Sequence, residues 1–346
     1  MSTRLARALL DMIGLAACAL LLLAIILATG GHDLGAALGA MVRGAAGSWD
    51  AVLSATLVRA TPLLITGLAI TLAFRAGVMN IGAEGQLLMG AAAATAVALW
   101  WRGPAVLGVG LVLVAGCAAG GAWAAIAGLL RVRFGVLEVI STLMLNFVAL
   151  YLLGWLVRGP MQEPTHVYPQ SSTIGAMARL PILAPGTRLH AGFLLGLLLA
   201  GALALLLSRT AFGFRIRVVG ANPHAAASAG RLDAAWIAFG AFVGSGALAG
   251  LAGAVEVSGV TFALYENLSP GYGFSAIAVA LLARLEPMAV VGSAVLFGAL
   301  EAGGLSMQRD AGVPSVTVNV VEAVLILLVV AADRWRARRR VTQAGA

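Results

Sequence analysis

Apolar runs long enough to cross a membrane follow one another along this chain, and they constrain its fold more than any other feature. A spanning helix needs roughly 20 mainly apolar residues, because each backbone polar group must find its partner within the helix. Charged residues make up 10% of the sequence, whereas soluble domains carry about 25%. The sequence therefore predicts an all-α polytopic membrane protein with about ten transmembrane helices. The predicted spans are 9–29, 51–73, 82–101, 104–129, 137–157, 190–208, 234–257, 264–285, 287–305 and 315–332.

Basic residues indicate how these spans are oriented. All 22 of them are arginine, and most fall on the cytoplasmic side if the N-terminus is cytoplasmic, as the positive-inside rule requires. An even number of spans then returns the basic tail at 333–346 to the cytoplasm. Topology accounts for the net charge of +8, so the sequence predicts contact with membrane lipid and no nucleic-acid partner. The chain, 1–346, is interpreted as a single transmembrane domain with both termini in the cytoplasm.

The absence of lysine excludes one way of using ATP. A P-loop places a lysine on the β- and γ-phosphates of the nucleotide, and this sequence has none. The four histidines are isolated from one another in the sequence, which argues against a metal site. We therefore expect no catalytic residue, no metal and no cofactor in this chain, and we expect any ATP to be bound by a partner subunit.

A polar, glycine-rich stretch opens the third predicted span. Asn80, Glu84 and Gln86 stand there together with Gly82 and Gly85. An ionisable group at membrane depth is costly and marks a transport pathway by default. Irregular backbone is tolerated at that depth only where protein or a water-filled cavity surrounds it. The stretch is therefore predicted to form part of a translocation route.

A second interrupted span lies in the other half of the sequence. Residues 267–273 contain Pro270 and two glycines, and they precede the short apolar run 274–285. The two junctions follow spans of opposite direction, so segments 51–157 and 234–332 are predicted to be inverted-topology repeats. Paired interrupted spans point to the binding site of a transporter. Two ordinary glycine-rich turns are the alternative.

Several of these stretches resemble one family of membrane proteins. Residues 74–90 resemble the signature of bacterial ABC importer permeases for nucleosides and simple sugars. Residues 138–146 resemble the nucleoside-type branch in particular, and 220–230 resemble the family's cytoplasmic coupling loop. Residues 273–282 and 296–300 resemble its C-terminal half.

The resemblance extends from Thr61 to Val330 and implies a function. Such a chain is the permease subunit of an ATP-binding cassette importer in the bacterial inner (plasma) membrane, and it works by alternating access. The implied partners are a cytoplasmic ABC ATPase and an extracytoplasmic substrate-binding lipoprotein. A second permease subunit is also implied. It is usually a different chain, with a homodimer as the alternative.

Other functions are compatible with parts of the sequence. An ion-coupled secondary transporter would use Glu84 as its coupling carboxylate, and interrupted helices occur in that class too. A branched-chain amino-acid ABC permease belongs to the same superfamily. A non-transporting scaffold leaves the polar intramembrane stretches unexplained.

Two long loops are predicted to contact partners. The proline-rich external loop 158–189 is a candidate docking face for the lipoprotein, or a cap over the cavity. In the cytoplasmic loop 209–232, Asn222 can cap a short helix that begins at Pro223. The resemblance makes this the coupling helix that contacts the ATPase, and a positively charged lipid anchor is the alternative. Arg231 stands where the family usually has an aliphatic residue. The residues assigned to ATPase coupling are Gly220, Ala221, Asn222, Pro223, Ala225, Ala226, Ala229 and Gly230.

The remaining candidate residues are polar groups within or beside the spans. Neutral amides and hydroxyls suit a neutral, hydroxylated ligand. Arg59 is costly alone inside a span, so it is predicted to pair with a carboxylate. Glu138 begins a span, either as a helix cap or as a functional group. The candidate substrate pathway comprises Asn80, Glu84, Gln86, Ser141, Thr142, Asn146 and Asn267, and the candidates for an intramembrane ion pair are Arg59, Glu301 and Glu322.

Overall fold

The computed structural model describes residues 33–223 and 233–314, together with residues 14, 21, 24, 25, 28, 30, 316, 320, 323 and 324. Ten α-helices occupy the two long described ranges. They are α1 (Leu34–Ala46), α2 (Trp49–Arg75), α3 (Ala83–Trp100), α4 (Ala105–Phe134), α5 (Glu138–Arg158), α6 (Ala191–Arg209), α7 (Ala211–Ala221), α8 (Ala234–Thr261), α9 (Tyr272–Leu282) and α10 (Pro287–Ala311).

Some of the predicted features lie outside the described residues. These are most of the first and last spans, the basic tail, Glu322, and the residues Ala225, Ala226, Ala229, Gly230 and Arg231 of the predicted coupling helix.

Six helices are long and apolar enough to cross a membrane, namely α2, α4, α5, α6, α8 and α10. Each coincides with a predicted span, and α4, α8 and α10 continue beyond it. Two of the six contain a turn of π-helix, at Val52–Thr56 in α2 and at Val257–Thr261 in α8. The protein is thus all-helical and polytopic.

The predicted span 264–285 is wrong. Residues 263–271 are not helical, and α9 begins only at Tyr272 and runs for 11 residues. At 1.5 Å per residue this helix is about 17 Å long, roughly half the thickness of a bilayer core. Pro270 lacks a backbone N–H, and Gly271 adopts a left-handed conformation with φ 101°. These two residues fix the start of α9.

Two helices were not predicted. Helix α1 has 13 residues, fewer than the roughly 20 that a spanning helix needs, and it packs against α10. Helix α7 lies within the predicted loop 209–232, where its apolar side chains Ile216 and Val219 are buried. Thr210 caps α7 by accepting the Gly213 N–H at 3.0 Å.

Helices α2, α3 and α8 form the centre of the bundle. Every residue of α2 from Ala60 to Ala73 is buried, so this part of the helix has no face left for lipid. Helix α8 packs against α2, α3 and α4, and one of its close approaches is at Gly250. A Cβ atom there would overlap the Gly116 carbonyl oxygen and lie 2.7 Å from Gly120 Cα, both on α4. Small residues let these backbones touch, as is typical of membrane helices.

Candidate functional site

The turn before α3 is held by a pair of amide side chains. Asn80 Nδ2 donates to Gln86 Oε1 at 2.8 Å, and Gln86 Nε2 donates back to Asn80 Oδ1 at 3.0 Å. Asn80 Oδ1 also accepts the Gly82 N–H at 3.0 Å, and its Nδ2 reaches Ser245 Oγ on α8 at 2.9 Å. Ser245 in turn donates to the Ala69 carbonyl of α2 at 2.6 Å. The turn is therefore fixed to the two helices beside it.

Asn146 fixes the same turn from α5. Its Oδ1 accepts the Gly85 N–H and its Nδ2 donates to the Ile81 carbonyl, both at 2.9 Å. Ser141 and Thr142 do not join this network, because their hydroxyls bond to carbonyls of the turn before them, Thr142 Oγ1 to the Glu138 oxygen at 2.6 Å. Thr142 nevertheless packs on Gly82, where a Cβ would lie 2.9 Å from Thr142 Cβ.

Glu84 lies where two helices begin. It is the second residue of α3, and its Oε2 accepts the N–H of Gly273, the second residue of α9, at 2.7 Å. The Ser269 hydroxyl also lies close to this carboxylate. A Cβ on Gly273 would overlap the Glu84 backbone, so only glycine permits this approach. The first N–H groups of a helix lack partners within the helix and attract negative charge, and Glu84 supplies that partner for α9.

The sequence-predicted polar residues thus fall into two places. Asn80, Glu84, Gln86 and Asn146 come together around the start of α3, where they are shielded from lipid and at most 9% exposed. Their hydrogen bonds go largely to one another and to backbone groups, so they hold the junction and do not form the wall of an open cavity. Asn267 lies apart from them, at the edge of a cavity.

That cavity has a volume of about 390 Å³ and lies between α2 and α8. Its polar lining includes Arg59, Arg188, Glu256, Tyr265 and Asn267. Arg59 Nη1 lies 3.7 Å from Glu301 Oε2 on α10, which is an ion pair longer than a hydrogen bond. The structure therefore brings Arg59 next to one of its two candidate partners.

The segment 159–190, which we call the strap, lies across residues 258–265 beside this cavity. Backbone N–H groups of Ser171, Ile174 and Leu180 donate to the carbonyls of Leu264, Phe262 and Ser258 at 2.7–2.8 Å. The Arg179 guanidinium lies 4.5 Å from the centroid of the Phe262 ring.

An ion pair stands at the start of the strap. Arg158 Nε and Nη2 donate to the two carboxylate oxygens of Glu266, at 2.7 and 2.9 Å. These hydrogen bonds hold the pKa of Glu266 below its usual value. The pairing is therefore present at neutral pH, and it is lost as acidification protonates the carboxylate.

The opposite end of the bundle carries the four predicted coupling residues that the structure describes, Gly220 to Pro223. Gly220 packs on Gly77, and a Cβ on Gly220 would overlap the Arg75 carbonyl oxygen. Ala221, Asn222 and Pro223, by contrast, are exposed. Asn222 has the extended backbone of a helix N-cap residue, with φ −158° and ψ 98°.

On this side of the bundle, two ion pairs join the end of one helix to the start of another. Arg75 Nη2 lies 3.4 Å from Glu286 Oε2, and Arg131 Nη1 lies 3.2 Å from Glu138 Oε1. Glu138 therefore links the end of α4 to the start of α5.

Three residues of these sites were missed by sequence reasoning. Ser245 is a small residue in an apolar helix, and no sequence pattern distinguishes it from the other small residues there. Glu256 carried a clear signal, because it is a carboxylate at the end of a predicted span, and such a group is a functional candidate by default. Arg188 belongs to the predicted external loop, and only the fold brings it to the same cavity as Glu256.

Comparisons with known proteins give a consistent result. Residues 52–330 match the family described as branched-chain amino acid transport system / permease component. A glucose ABC transporter permease protein of Haloferax volcanii is 39% identical over 297 residues, which cover 83% of this chain and 78% of the relative. A guanosine ABC transporter permease protein of Bacillus subtilis is 38% identical over 324 residues, 92% of this chain and 90% of the relative.

A second guanosine ABC transporter permease protein of Bacillus subtilis is 29% identical over 256 residues, 71% of this chain and 79% of the relative. No solved structure shows a significant match.

Proposed function

The chain belongs to the family of branched-chain amino acid transport system permease components, in its nucleoside and simple-sugar branch, and we propose that it carries neutral hydroxylated molecules inward as the permease subunit of an ATP-binding cassette importer. Guanosine and glucose, the substrates named for two relatives, share a neutral charge and a ring with several hydroxyl groups. The substrate class is therefore nucleosides and related purine or simple-sugar compounds. The ion-coupled carrier is not favoured, because the relatives are ABC permeases.

One observation of the structure supports this function best, namely the contact between Glu84 and Gly273. Two helices that start inside the bundle meet there, one from each half of the chain. Interrupted helices of this kind occur where a transporter binds or passes its substrate. The two junctions support the inverted-repeat proposal for segments 51–157 and 234–332. In our proposal the two halves rock about this contact during alternating access.

An ABC permease works with an ATPase and a binding protein. In the proposed complex the ATPase binds ATP and contacts residues 209–232, reached through α7 and the exposed Ala221, Asn222 and Pro223. The binding lipoprotein docks on the strap. A second, different permease completes the pore, and the two guanosine permease proteins of Bacillus subtilis, of unequal similarity to this chain, support that arrangement.

The proposed topology places both termini in the cytoplasm of a bacterial cell, with the strap outside. Arginines at Arg75, Arg131, Arg209 and Arg217 then lie on the cytoplasmic side, in agreement with the positive-inside rule. The chain itself requires no cofactor.

Reconstitution tests this function. Vesicles that contain the chain, its second permease and the ATPase should take up radiolabelled guanosine or glucose when ATP and the loaded binding protein are present. Omission of the ATPase, or an ATPase whose P-loop lysine is replaced, is the matched control and should abolish uptake. Uptake that survives ATP depletion but collapses with an uncoupler would overturn the proposal in favour of an ion-coupled carrier.

A further inference from the structure

The cavity between α2 and α8 has the size of a small-molecule site and a polar lining. Its volume of about 390 Å³ falls within the range of roughly 300–1,000 Å³ that such sites have. Arg188 stands just before α6, and the other end of α6 leads into α7. The cavity therefore lies at the end of the bundle opposite α7, about 28 Å away along a 19-residue helix.

Glu256 is the most informative residue in the wall of this cavity. It is only 5% exposed, and it lines the cavity together with Arg59 and Arg188. Both arginines act on its charge, but no residue in the described ranges donates a hydrogen bond to its carboxylate. A buried carboxylate without donors is costly, because each oxygen can accept hydrogen bonds that are not being made. Its two oxygens are thus available to donors that enter the cavity.

The charges around the cavity balance. Arg59 and Arg188 carry two formal positive charges, and Glu256 and Glu301 carry two formal negative charges. A cationic or anionic ligand would upset this balance in a partly buried site. A neutral molecule would not, and its hydroxyl groups can both donate to a carboxylate and accept from an arginine.

A second, independent observation concerns the backbone. The two π-helical turns in the described part of the chain both border this cavity, through Ser54 and Ala55 on α2 and through Val260 and Thr261 on α8. A π-turn disturbs the regular hydrogen bonds of a helix, and such turns are frequent at functional sites. Both helices thus depart from α-geometry where they face the cavity.

We propose that this cavity is a transit site that binds the vicinal hydroxyl groups of a neutral substrate, with Glu256 as acceptor and Arg59 and Arg188 as donors. This inference rests on the proposed function, since it names where the substrate is held on its way through the permease. Two neighbouring hydroxyls match the two oxygens of one carboxylate. Hydrogen bonds to charged groups are the stronger ones, so loss of the hydroxyls or of the carboxylate removes most of the binding.

Protection of a single cysteine tests the site. In a parent with Cys18→Ala and Cys117→Ala, the exposed cavity residue Asn267 is replaced in Asn267→Cys. The rate of labelling by a small methanethiosulfonate is then measured on the reconstituted importer. Inosine at about 10 mM should slow labelling about twofold or more, as expected when at least half of the sites are occupied. The probe 2′,3′-dideoxyinosine, which lacks the vicinal hydroxyls, should leave the rate unchanged.

Two variants of the parent complete the test. Glu256→Gln removes the carboxylate and should abolish the protection by inosine. Asp33→Asn removes a charge at an exposed helix cap, where asparagine caps equally well, and should keep the protection.

Three outcomes overturn the inference: equal protection by inosine and dideoxyinosine, no protection by inosine, or protection that survives in Glu256→Gln. The comparison of the two nucleosides needs no change at Glu256, so it decides the matter even if that variant does not accumulate. ATP-driven uptake is measured on matched vesicles that contain the unmodified chain. If it is present without hydroxyl-dependent protection, the transit site is wrong and the proposed function stands, whereas absence of ATP-driven uptake contradicts the proposed function.

Discussion

Glu84 shows how a single residue can organise the centre of the bundle. Its carboxylate accepts the Gly273 N–H at 2.7 Å, at the point where α3 and α9 begin. Both helix starts are buried among other helices, so water does not reach their unpaired N–H groups freely. An unpaired buried donor costs about 1–3 kcal/mol, and Glu84 removes that cost for Gly273. The residue therefore has a structural role, whatever part it takes in transport.

Replacement of Glu84 separates this structural role from proton coupling. Glu84→Gln keeps a carbonyl oxygen that can accept the Gly273 N–H, so ATP-driven uptake and membrane yield should stay close to those of the unmodified protein. Glu84→Ala leaves the N–H unpaired and should lower thermal stability by about 1–3 kcal/mol, with reduced uptake. Uptake in vesicles and thermal unfolding in detergent measure the two effects. Complete loss of concentrative uptake in Glu84→Gln would instead identify a proton-coupled carrier.

Sequence could identify these residues but not their partners. Asn80 and Gln86 are six residues apart, and their motif marks them as a unit. The partner of Glu84 is 189 residues away and is a backbone group, which no side-chain pattern reveals. The same holds for Asn146, whose two bonds go to backbone atoms of Ile81 and Gly85. Sequence thus singled out Asn80, Glu84, Gln86 and Asn146, whereas the fold decides which groups they bind.

At the scale of elements, the crossing of α3, α4 and α8 depends on glycine. Gly250 has the α4 backbone on one side, and Gly90 of α3 approaches it on the other. Close backbone contact maximises van der Waals packing, which stabilises helices in lipid where the hydrophobic effect between them is absent.

A pair of glycine substitutions in the same helix tests this crossing. Gly250→Ala inserts a methyl group where no space exists, and overpacking of this kind costs about 1–3 kcal/mol. Gly240→Ala is the matched control, because a Cβ there meets nothing within 4 Å. Alanine is preferred over glycine in a helix by about 1 kcal/mol, so this variant should be neutral or slightly more stable. Thermal unfolding in detergent should separate the two, and equal stability would contradict the packing argument.

The strap is the element through which a docked binding protein would reach the cavity. Its backbone bonds to residues 258–265, which include part of the π-turn that lines the cavity. The ion pair between Arg158 and Glu266 joins the base of the strap to the residue that follows this stretch. Movement of the strap is therefore expected to move the wall of the cavity.

Removal of the Arg158–Glu266 ion pair should weaken the stimulation of ATP hydrolysis by the binding protein more than it affects folding. Arg158→Gln and Glu266→Gln remove exposed charges, and exposed ion pairs contribute little to stability. We expect normal membrane yield but a weaker stimulation of ATP hydrolysis by the loaded binding protein. Arg309→Gln, which breaks the exposed pair with Asp310 outside the strap, is the control and should keep full stimulation. Full stimulation in all three variants would show that the strap does not transmit docking.

The elements were predictable where hydrophobicity and length agree. All six long apolar helices coincide with predicted spans, because about 20 apolar residues admit no other structure in a membrane. The interruption at residues 267–273 was predicted from Pro270 and its glycines, but the span 264–285 was wrong in its length, because the helix after the interruption has only 11 residues. The path of the strap and the position of α7 depend on tertiary contacts, and the length and hydrophobicity of a segment do not reveal such contacts.

At the scale of the whole molecule, the two ends of the bundle have different tasks. One end carries the strap and the polar cavity, and the other carries α7 and the exposed residues that lead into 224–232. Helix α2 connects them: Arg59 lies in the half that lines the cavity, and Arg75 is the last residue at the other end. Because all residues from Ala60 to Ala73 are buried, we expect α2 to pass a displacement at one end on to the helices packed around it.

Because the α7 end of the bundle is the proposed ATPase contact, substitutions at two neighbouring residues of α7 should have different effects. Gly220→Ala places a Cβ against the Arg75 carbonyl, so it should lower stability and membrane yield through misfolding of the chain itself. Ala221→Trp adds bulk at an exposed position beside the proposed ATPase contact. It should leave yield unchanged, but reduce both uptake and the ATPase stimulation that the binding protein causes. Ala105→Trp, at an exposed alanine that begins α4, is the matched control for bulk and should transport normally. Normal coupling in Ala221→Trp would show that the ATPase does not bind at this surface.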